Sequence, residues 1–148
     1  MSSQRRHSQK GNFLISTILL ALLPAFTLVA LAADKEESPN GVARAIFTSK
    51  IIDHEPVDEL NSVPATQSRI YFFSDLRGLE GQIISHRWEY RDKVMAEVKF
   101  QVGGPRWRVY SSKNLLPEWT GEWTVVVTDA SGKPIKTSVF KYGEVKAQ

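Results

Sequence analysis

Apolar and polar side chains alternate with a period of two along most of the chain after residue 41. In the segment 93–102 every second residue is apolar, and the set comprises Val94, Ala96, Val98, Phe100 and Val102. In the segment 82–91 the corresponding set is Ile84, His86, Trp88 and Tyr90. Because side chains alternate between the two faces of a strand, this period predicts half-buried β-strands with one solvated face.

Turn-forming residues separate these segments from others that resemble strands. Weaker strand patterns cover 42–52, 70–73, 105–112, 123–128 and 137–142. Tight reversals are predicted at 91–93 and 129–132, where small, polar and glycine residues suit hairpin turns. About seven short strands at this spacing are typical of a sandwich or barrel. We therefore predict an all-β, immunoglobulin-like antiparallel sandwich of about seven strands over residues 42–142, with 143–148 as a tail.

The first 33 residues follow a different pattern. Residues 1–12 are polar and basic, residues 13–33 carry no charge, and the acidic segment 34–37 ends the apolar run. This order is typical of a secretory signal, and Ala30-Leu31-Ala32 offers a cleavage site.

An uncleaved membrane anchor is the alternative reading of the same segment. A hydrophobic helix over 13–33 would measure about 31 Å, enough to span the hydrocarbon core. In both cases the basic flank stays inside, so the domain is expected to be periplasmic or extracytoplasmic, either secreted or anchored by the N-terminal helix. Residues 34–41 are charged and rich in turn-forming residues, and are predicted to be a linker.

Charge and cysteine content exclude several function classes. The chain has 19 Lys and Arg and 16 Asp and Glu, for a net charge of +3. Residues 1–33 contribute Arg5, Arg6 and Lys10, so residues 34–148 are neutral overall. A neutral domain lacks the positive surface expected of a nucleic-acid-binding protein. With no cysteine, the chain forms neither disulfides nor thiolate metal sites.

Several motifs resemble the bacterial domain-of-unknown-function family 2914. They are Arg44-x-x-Phe47 with Ile51 and Pro56, Tyr71-Phe72, His86-x-Trp88-x-Tyr90, Trp107-Arg108-x-x-Ser111, and Gly121-x-Trp123-x-Val125-x-Val127-x-Asp129-x-x-Gly132. The resemblance covers residues 42–142 and implies a compact domain in exported or membrane-attached proteins. It implies no catalytic residues and no particular ligand.

Candidate chemistry is sparse. His86 shares a face with Trp88 and Tyr90, which suits a core residue, although a ligand or a general base is the alternative. The acidic segment 53–59 contains one histidine and could hold a divalent cation, but it lacks the spacing of known metal motifs and is expected to be a solvated loop. We expect neither a metal nor a cofactor.

Tryptophan and arginine provide the most suggestive pattern. Trp88 and Trp123 are expected to fill the core, whereas exposed Trp residues flanked by Arg could stack on a sugar or anchor a protein partner. The candidate ligand-binding residues are Trp107, Arg108, Trp119, His86 and Arg87.

The sequence therefore predicts a non-catalytic binding or assembly module of the bacterial cell envelope. Its partner would be an envelope protein or the cell-wall glycan, with the membrane contacted through residues 13–33 if these are not cleaved. A carbohydrate-binding module with Trp107 and Trp119 as its platform is the alternative. An envelope hydrolase with His86 as the base is the less favoured third option.

Overall fold

All the regular structure in residues 40–143, the part of the chain that the computed structural model describes, is β-strand. The predicted all-β class is confirmed. Within these residues no helix is long and apolar enough to cross a membrane. The predicted leader helix over 13–33 and the tail after Gly143 lie outside the described residues.

Seven strands of eight or nine residues form the framework. They are β1 (Gly41–Thr48), β5 (Arg69–Arg77), β6 (Ile83–Tyr90), β7 (Lys93–Gln101), β8 (Arg106–Asn114), β9 (Gly121–Thr128) and β10 (Pro134–Tyr142). The structure also has three two-residue strands, β2 (Ile51–Ile52), β3 (Glu55–Pro56) and β4 (Ser62–Val63). β2 lies within the predicted strand 42–52, which is interrupted after Thr48, whereas β3 and β4 were not predicted from the sequence. Such short strands escape pattern reading because two residues cannot show a period.

The long strands divide into a three-stranded and a five-stranded sheet. The first has the order β1-β5-β8, and the second has the order β4-β10-β9-β6-β7. The long strands pair antiparallel, but β4 lies parallel to β10 through Ser62 and Val63. The sequence predicted purely antiparallel sheets. This short parallel pair departs from that prediction. A separate hairpin joins β2 to β3.

Large side chains from both sheets fill one core. Trp88 and Trp123 are fully buried there, as the alternation predicts. The Trp123 ring stacks on Tyr90 at 4.8 Å between centroids and on Phe140 at 6.3 Å. Phe47 and Phe72 contribute from the three-stranded sheet, and their ring centroids lie 4.9 Å apart. Dense aromatic packing contributes to the apolar burial that this cysteine-free domain needs.

A β-bulge in β7 changes the face on which its first residues lie. Trp88 pairs with Ala96 and Glu89 with Val94, which leaves Met95 as an extra residue. Val94 consequently points outward and is 57% exposed, whereas Met95 packs against the core. The alternation over 93–102 had placed Val94 inside. That part of the prediction is wrong, because a bulge shifts the side-chain phase by one residue.

Two hairpins turn through non-glycine residues with positive φ. Asp53 and His54 join β2 to β3 with φ of 51° and 63°, and Arg91 and Asp92 join β6 to β7 with φ of 48° and 59°. Positive φ at both central residues is the mark of a type I′ turn, in which Asn-Gly is preferred. Residues with a Cβ are strained there, so both turns store unfavourable backbone energy.

Replacing Asp92 by Gly is expected to raise the free energy of unfolding by about 0.5–1 kcal/mol, because glycine adopts positive φ without strain. The cation–π contact of Arg91 with the Tyr90 ring, at 5.0 Å, is left intact. Urea melts of the protein would measure the gain. Asp92→Ala is the matched control, and it should destabilise the domain because alanine tolerates positive φ poorly. Stabilisation by alanine would contradict this account.

Candidate binding surface on the three-stranded sheet

The outer face of the three-stranded sheet carries a concentration of arginine. Strand pairing brings Arg44 of β1 opposite Asp75 of β5, and Asp75 in turn opposite Arg108 of β8. Arg77 pairs with Arg106 at the next outward position. Four arginines therefore share this surface, which we call the arginine face: Arg44, Arg77, Arg106 and Arg108.

Asp75 anchors the arginine face from beneath. Its side chain is fully buried although it lies on the outer side of β5. Arg77 donates to both carboxylate oxygens at 2.9 and 3.1 Å, and Arg106 donates to Oδ2 at 3.1 and 3.3 Å. A buried carboxylate is tolerated only when it is paired and hydrogen-bonded in this way. The pairing holds both guanidinium groups in place while leaving their outer edges exposed.

The β2–β3 hairpin lies over the same face and contributes Glu55. This carboxylate accepts hydrogen bonds from Arg44 at 2.9 Å and from Arg108 at 2.5 Å. Hydrogen bonds from Arg108 and then Arg44 lower the pKa of Glu55, so it stays ionised at neutral pH. Beneath it, the Arg44 guanidinium lies 5.2 Å from the centre of the Phe73 ring, which is fully buried. Glu55 thus links the two edge strands of the sheet.

A concave site of about 360 Å³ opens at one end of this surface. It is lined by His54, Arg106, Trp107 and Arg108. The Trp107 indole is 39% exposed and lies against Gly103, where an added Cβ would come within 2.9 Å of the ring. The strained turn residue His54, two cations and one aromatic edge therefore surround the same concavity. Such a set can bind a carboxylate beside an apolar or planar group.

The arginine face also holds the net charge of the described residues. Residues 40–143 contain fourteen Lys and Arg and twelve Asp and Glu, an excess of two positive charges. The four positive arginines of this face and the two negative carboxylates, Glu55 and Asp75, together give the same excess of two positive charges. The rest of the described domain is electrically balanced, so an anionic partner is attracted to one side of the molecule.

His86 is part of the core, not of this surface. It is fully buried, and its ring nitrogens lie 2.9 Å from the hydroxyl oxygens of Ser74 and Ser111. The Trp88 indole N–H also donates to Ser111 Oγ at 2.9 Å. Burial lowers the pKa of His86 to about 3, so the ring is neutral at physiological pH. Because a surface ligand cannot reach it, its inclusion among the candidate binding residues is corrected here.

Arg87 and Trp119 are also separate from the arginine face. Arg87 lies on the outer side of the five-stranded sheet and pairs with Glu89 at 2.6 Å. Trp119 follows β8 and is partly buried, and the Lys113 ammonium lies 5.7 Å from the centre of its ring. Trp119 lines another concave site, of about 380 Å³, with Tyr90 and Met95.

Trp107 and Trp119 therefore do not form one platform. Lys113, the residue beside Trp119, lies six positions after Trp107 in β8, which corresponds to roughly 20 Å along a strand. Of the five candidate binding residues, the structure brings together only Trp107 and Arg108. The aromatic pair that the carbohydrate alternative needs is not assembled by these two residues.

Sequence reasoning missed Arg44, Glu55, Asp75 and Arg77 as parts of one surface. A local signal was present in β5, where the outward positions of the strand include both Asp75 and Arg77 beside an apolar run. Glu55 on β3 lies 11 residues from Arg44 on β1 and 53 residues from Arg108 on β8, so no local pattern connects them.

The acidic segment 53–59 has structural roles in place of a metal site. Among the described residues, no group of acidic and histidine side chains is arranged to hold a metal ion. Asp58 accepts hydrogen bonds from Thr48 Oγ1 at 2.6 Å and from the Ser49 amide at 2.7 Å. Partial burial would raise the pKa of Asp58, but the hydrogen bonds from Ser49 and Thr48 outweigh it, and the pKa is lowered.

Comparison with known families gives one match. Residues 82–142 match the model of a family described as a protein of unknown function, DUF2914. This match supports an assignment to the DUF2914 family over the matched residues. The resemblance seen in the sequence is confirmed, over a shorter range than 42–142. No curated protein matches the chain. The DUF2914 segment spans β6 to β10 and includes Arg106, Trp107 and Arg108, whereas Arg44, Glu55 and Asp75 precede it.

Proposed function

We propose that the chain is a non-catalytic binding module of the bacterial cell envelope, and that its arginine face binds a carboxylate-rich segment of an envelope protein. The observation that carries the proposal is the array of four partly exposed arginines held in place by Asp75 and Glu55. Their side chains are 39–53% exposed, and the two carboxylates fix their positions. Preorganised guanidinium groups lose little conformational entropy when they bind carboxylates, which favours such a partner.

A non-catalytic role is supported by how the reactive side chains are used. His86 is buried and hydrogen-bonded on both nitrogens, and both carboxylates of the arginine face are already paired. A general acid or base must reach the proton that it transfers.

The envelope location and the finer fold belong to the same proposal. Residues 1–33 have the composition of a signal or an anchor, which would place the domain outside the cytoplasm. Among the seven long strands, the first, second and fifth (β1, β5 and β8) share one sheet. The third, fourth, sixth and seventh (β6, β7, β9 and β10) share the other. This division, with the buried Trp88 on the third long strand, supports an immunoglobulin-like sandwich. Such folds serve widely as binding modules, although the fold does not identify the partner.

Binding of the full chain to a poly-glutamate peptide would test the arginine face. The double variant Arg106→Gln/Arg108→Gln leaves Arg77 on Asp75 and Arg44 on Glu55, so the domain should still fold. We expect it to weaken binding at least about tenfold, since two charge-assisted hydrogen bonds are lost. Binding by the native chain should also weaken as salt is added.

The matched control is Arg87→Gln/Lys136→Gln, which removes the same charge from the five-stranded sheet. It should change the affinity less than twofold. Equal losses in both double variants would mean that only net charge matters and would overturn the assignment of the surface. Binding to purified cell-wall glycan but not to poly-glutamate would instead support the carbohydrate-binding alternative.

A further inference from the structure

Strand β7 is an open edge of the five-stranded sheet. In residues 40–143 it pairs on one side with β6, and no described strand pairs with its other side. It is nine residues long, and an edge of this length presents a row of backbone donors and acceptors. Such an edge is a template for another strand.

The inner face of β7 is incompletely covered. Ala96, Val98 and Phe100 point toward the core side, yet all three are only half-buried. Their direct neighbours on β6, Trp88, His86 and Ile84, are fully buried. The facing sheet ends at β8, and the half-buried side chains of β7 form an apolar margin beside the open edge.

The hydrogen-bond pattern shows which residues present free backbone groups at this edge. The amide of Val102 donates to the carbonyl of Gln82 at 2.9 Å, one step beyond the Gln101–Ile83 pair. In an antiparallel ladder, alternate residues direct both backbone groups to the same neighbour. Val98, Phe100 and Val102 therefore bond toward β6. Glu97, Lys99 and Gln101 direct their N–H and C=O groups away from it.

We infer that β7 pairs antiparallel with β7 of a second copy of this chain, about a two-fold axis at Val98. In this register Glu97 of each copy lies opposite Lys99 of the other, and both residues present backbone groups to the partner. Two ion pairs would then flank the axis on the outer face. On the inner face Val98 would meet its own copy and Ala96 would meet Phe100, which covers the apolar margin.

The charges on β7 select this register over its neighbours. Shifting the axis to residue 97 places Glu97 opposite Glu97, and shifting it to residue 99 places Lys99 opposite Lys99. Like charges directly opposite one another destabilise a strand pair. At the start of β7 the bulge and the hydrogen bond from Lys113 Nζ to the Met95 carbonyl, at 3.3 Å, limit the ladder. Charged edge residues usually oppose strand pairing, but here they complement each other in one register.

Single cysteines in the full chain test this geometry, because the native sequence has none. Val98→Cys places two thiols across the axis in a non-hydrogen-bonded pair, where Cα atoms lie about 4.5 Å apart, within disulfide range. Mild oxidation should give a covalent dimer on a non-reducing gel. The matched control is Ala96→Cys on the same face, whose two copies would lie about 13 Å apart and should not form a disulfide.

Charge reversal gives a second measurement that does not disturb the core. Lys99→Glu should abolish disulfide formation by Val98→Cys. An acidic side chain would then lie opposite Glu97 in both pairs that flank the axis, and the two like charges would repel. Adding Glu97→Lys should restore it, because the complementarity is regained with the signs exchanged. The inference is overturned if Val98→Cys remains monomeric after oxidation, or if Ala96→Cys forms disulfides equally well. It is also overturned if the double charge reversal melts like the native chain and still does not restore disulfide formation.

Discussion

Trp123→Ala is expected to lower the free energy of unfolding by about 3–5 kcal/mol, through lost burial and the cavity left behind. Trp123 is fully buried between Tyr90 and Phe140, and its indole N–H donates to the Trp119 carbonyl at 3.0 Å. A small domain holds about 5–15 kcal/mol in total. Urea melts should therefore show a marginal or unfolded variant.

Trp119→Ala is the matched comparison in the same aromatic cluster. The Trp119 ring is partly exposed and lies 5.8 Å from the Trp123 ring. Its backbone carbonyl, which accepts the Trp123 hydrogen bond, survives the substitution. The expected loss is about 1–2 kcal/mol, from one aromatic contact and partial burial. A larger loss at Trp119 than at Trp123 would contradict the assignment of inner and outer positions.

Lowering the pH from 6.5 to 5 is expected to cost the native domain about 2 kcal/mol of stability through His86 alone. Burial lowers the pKa of His86 to about 3 in the folded state, whereas the unfolded chain protonates it near 6.5. Between these values the unfolded state binds the proton and the folded state does not. The contribution of neutral His86 to the free energy of unfolding is therefore fully present above about pH 6.5. Below that pH it falls by about 1.4 kcal/mol per pH unit until the folded-state pKa of about 3 is reached.

His86→Gln isolates this effect, because glutamine does not titrate. The variant should be less stable at pH 7, since the hydrogen bonds of His86 with Ser74 and Ser111 are disturbed. Its unfolding free energy should nevertheless change less between pH 7 and pH 5 than that of the native protein. Carboxylates contribute equally to both chains and cancel in the difference. An equally steep fall in the variant would exclude His86 as the cause.

Much of the fold was predictable from local pattern. A period of two assigns each side chain to a face, which identified the seven long strands and the burial of Trp88 and Trp123. The turn at Arg91 was also visible, because short polar segments between alternating strands are typical of hairpins. The bulge at Met95 was not visible, because Val94, Met95 and Ala96 are all apolar and the sequence does not mark where the phase changes.

The candidate site was predictable only in part. Trp107 and Arg108 were identified because Trp flanked by Arg is a common composition of binding surfaces. Their neighbours depend on which strands pair. Glu55 reaches Arg108 across 53 positions in sequence, and no composition or period encodes such a contact.

The sequence by itself determined the all-β class, the resemblance to the DUF2914 family and the apolar side chains that form the core, since each follows from residue type and local spacing. Only the tertiary structure decided that Arg44, Arg77, Arg106 and Arg108 share one face, that His86 lies inside, and that β7 is an open edge. The physical reason is that backbone hydrogen bonds between strands are independent of side-chain identity. The choice of neighbouring strand is made by packing over the whole domain.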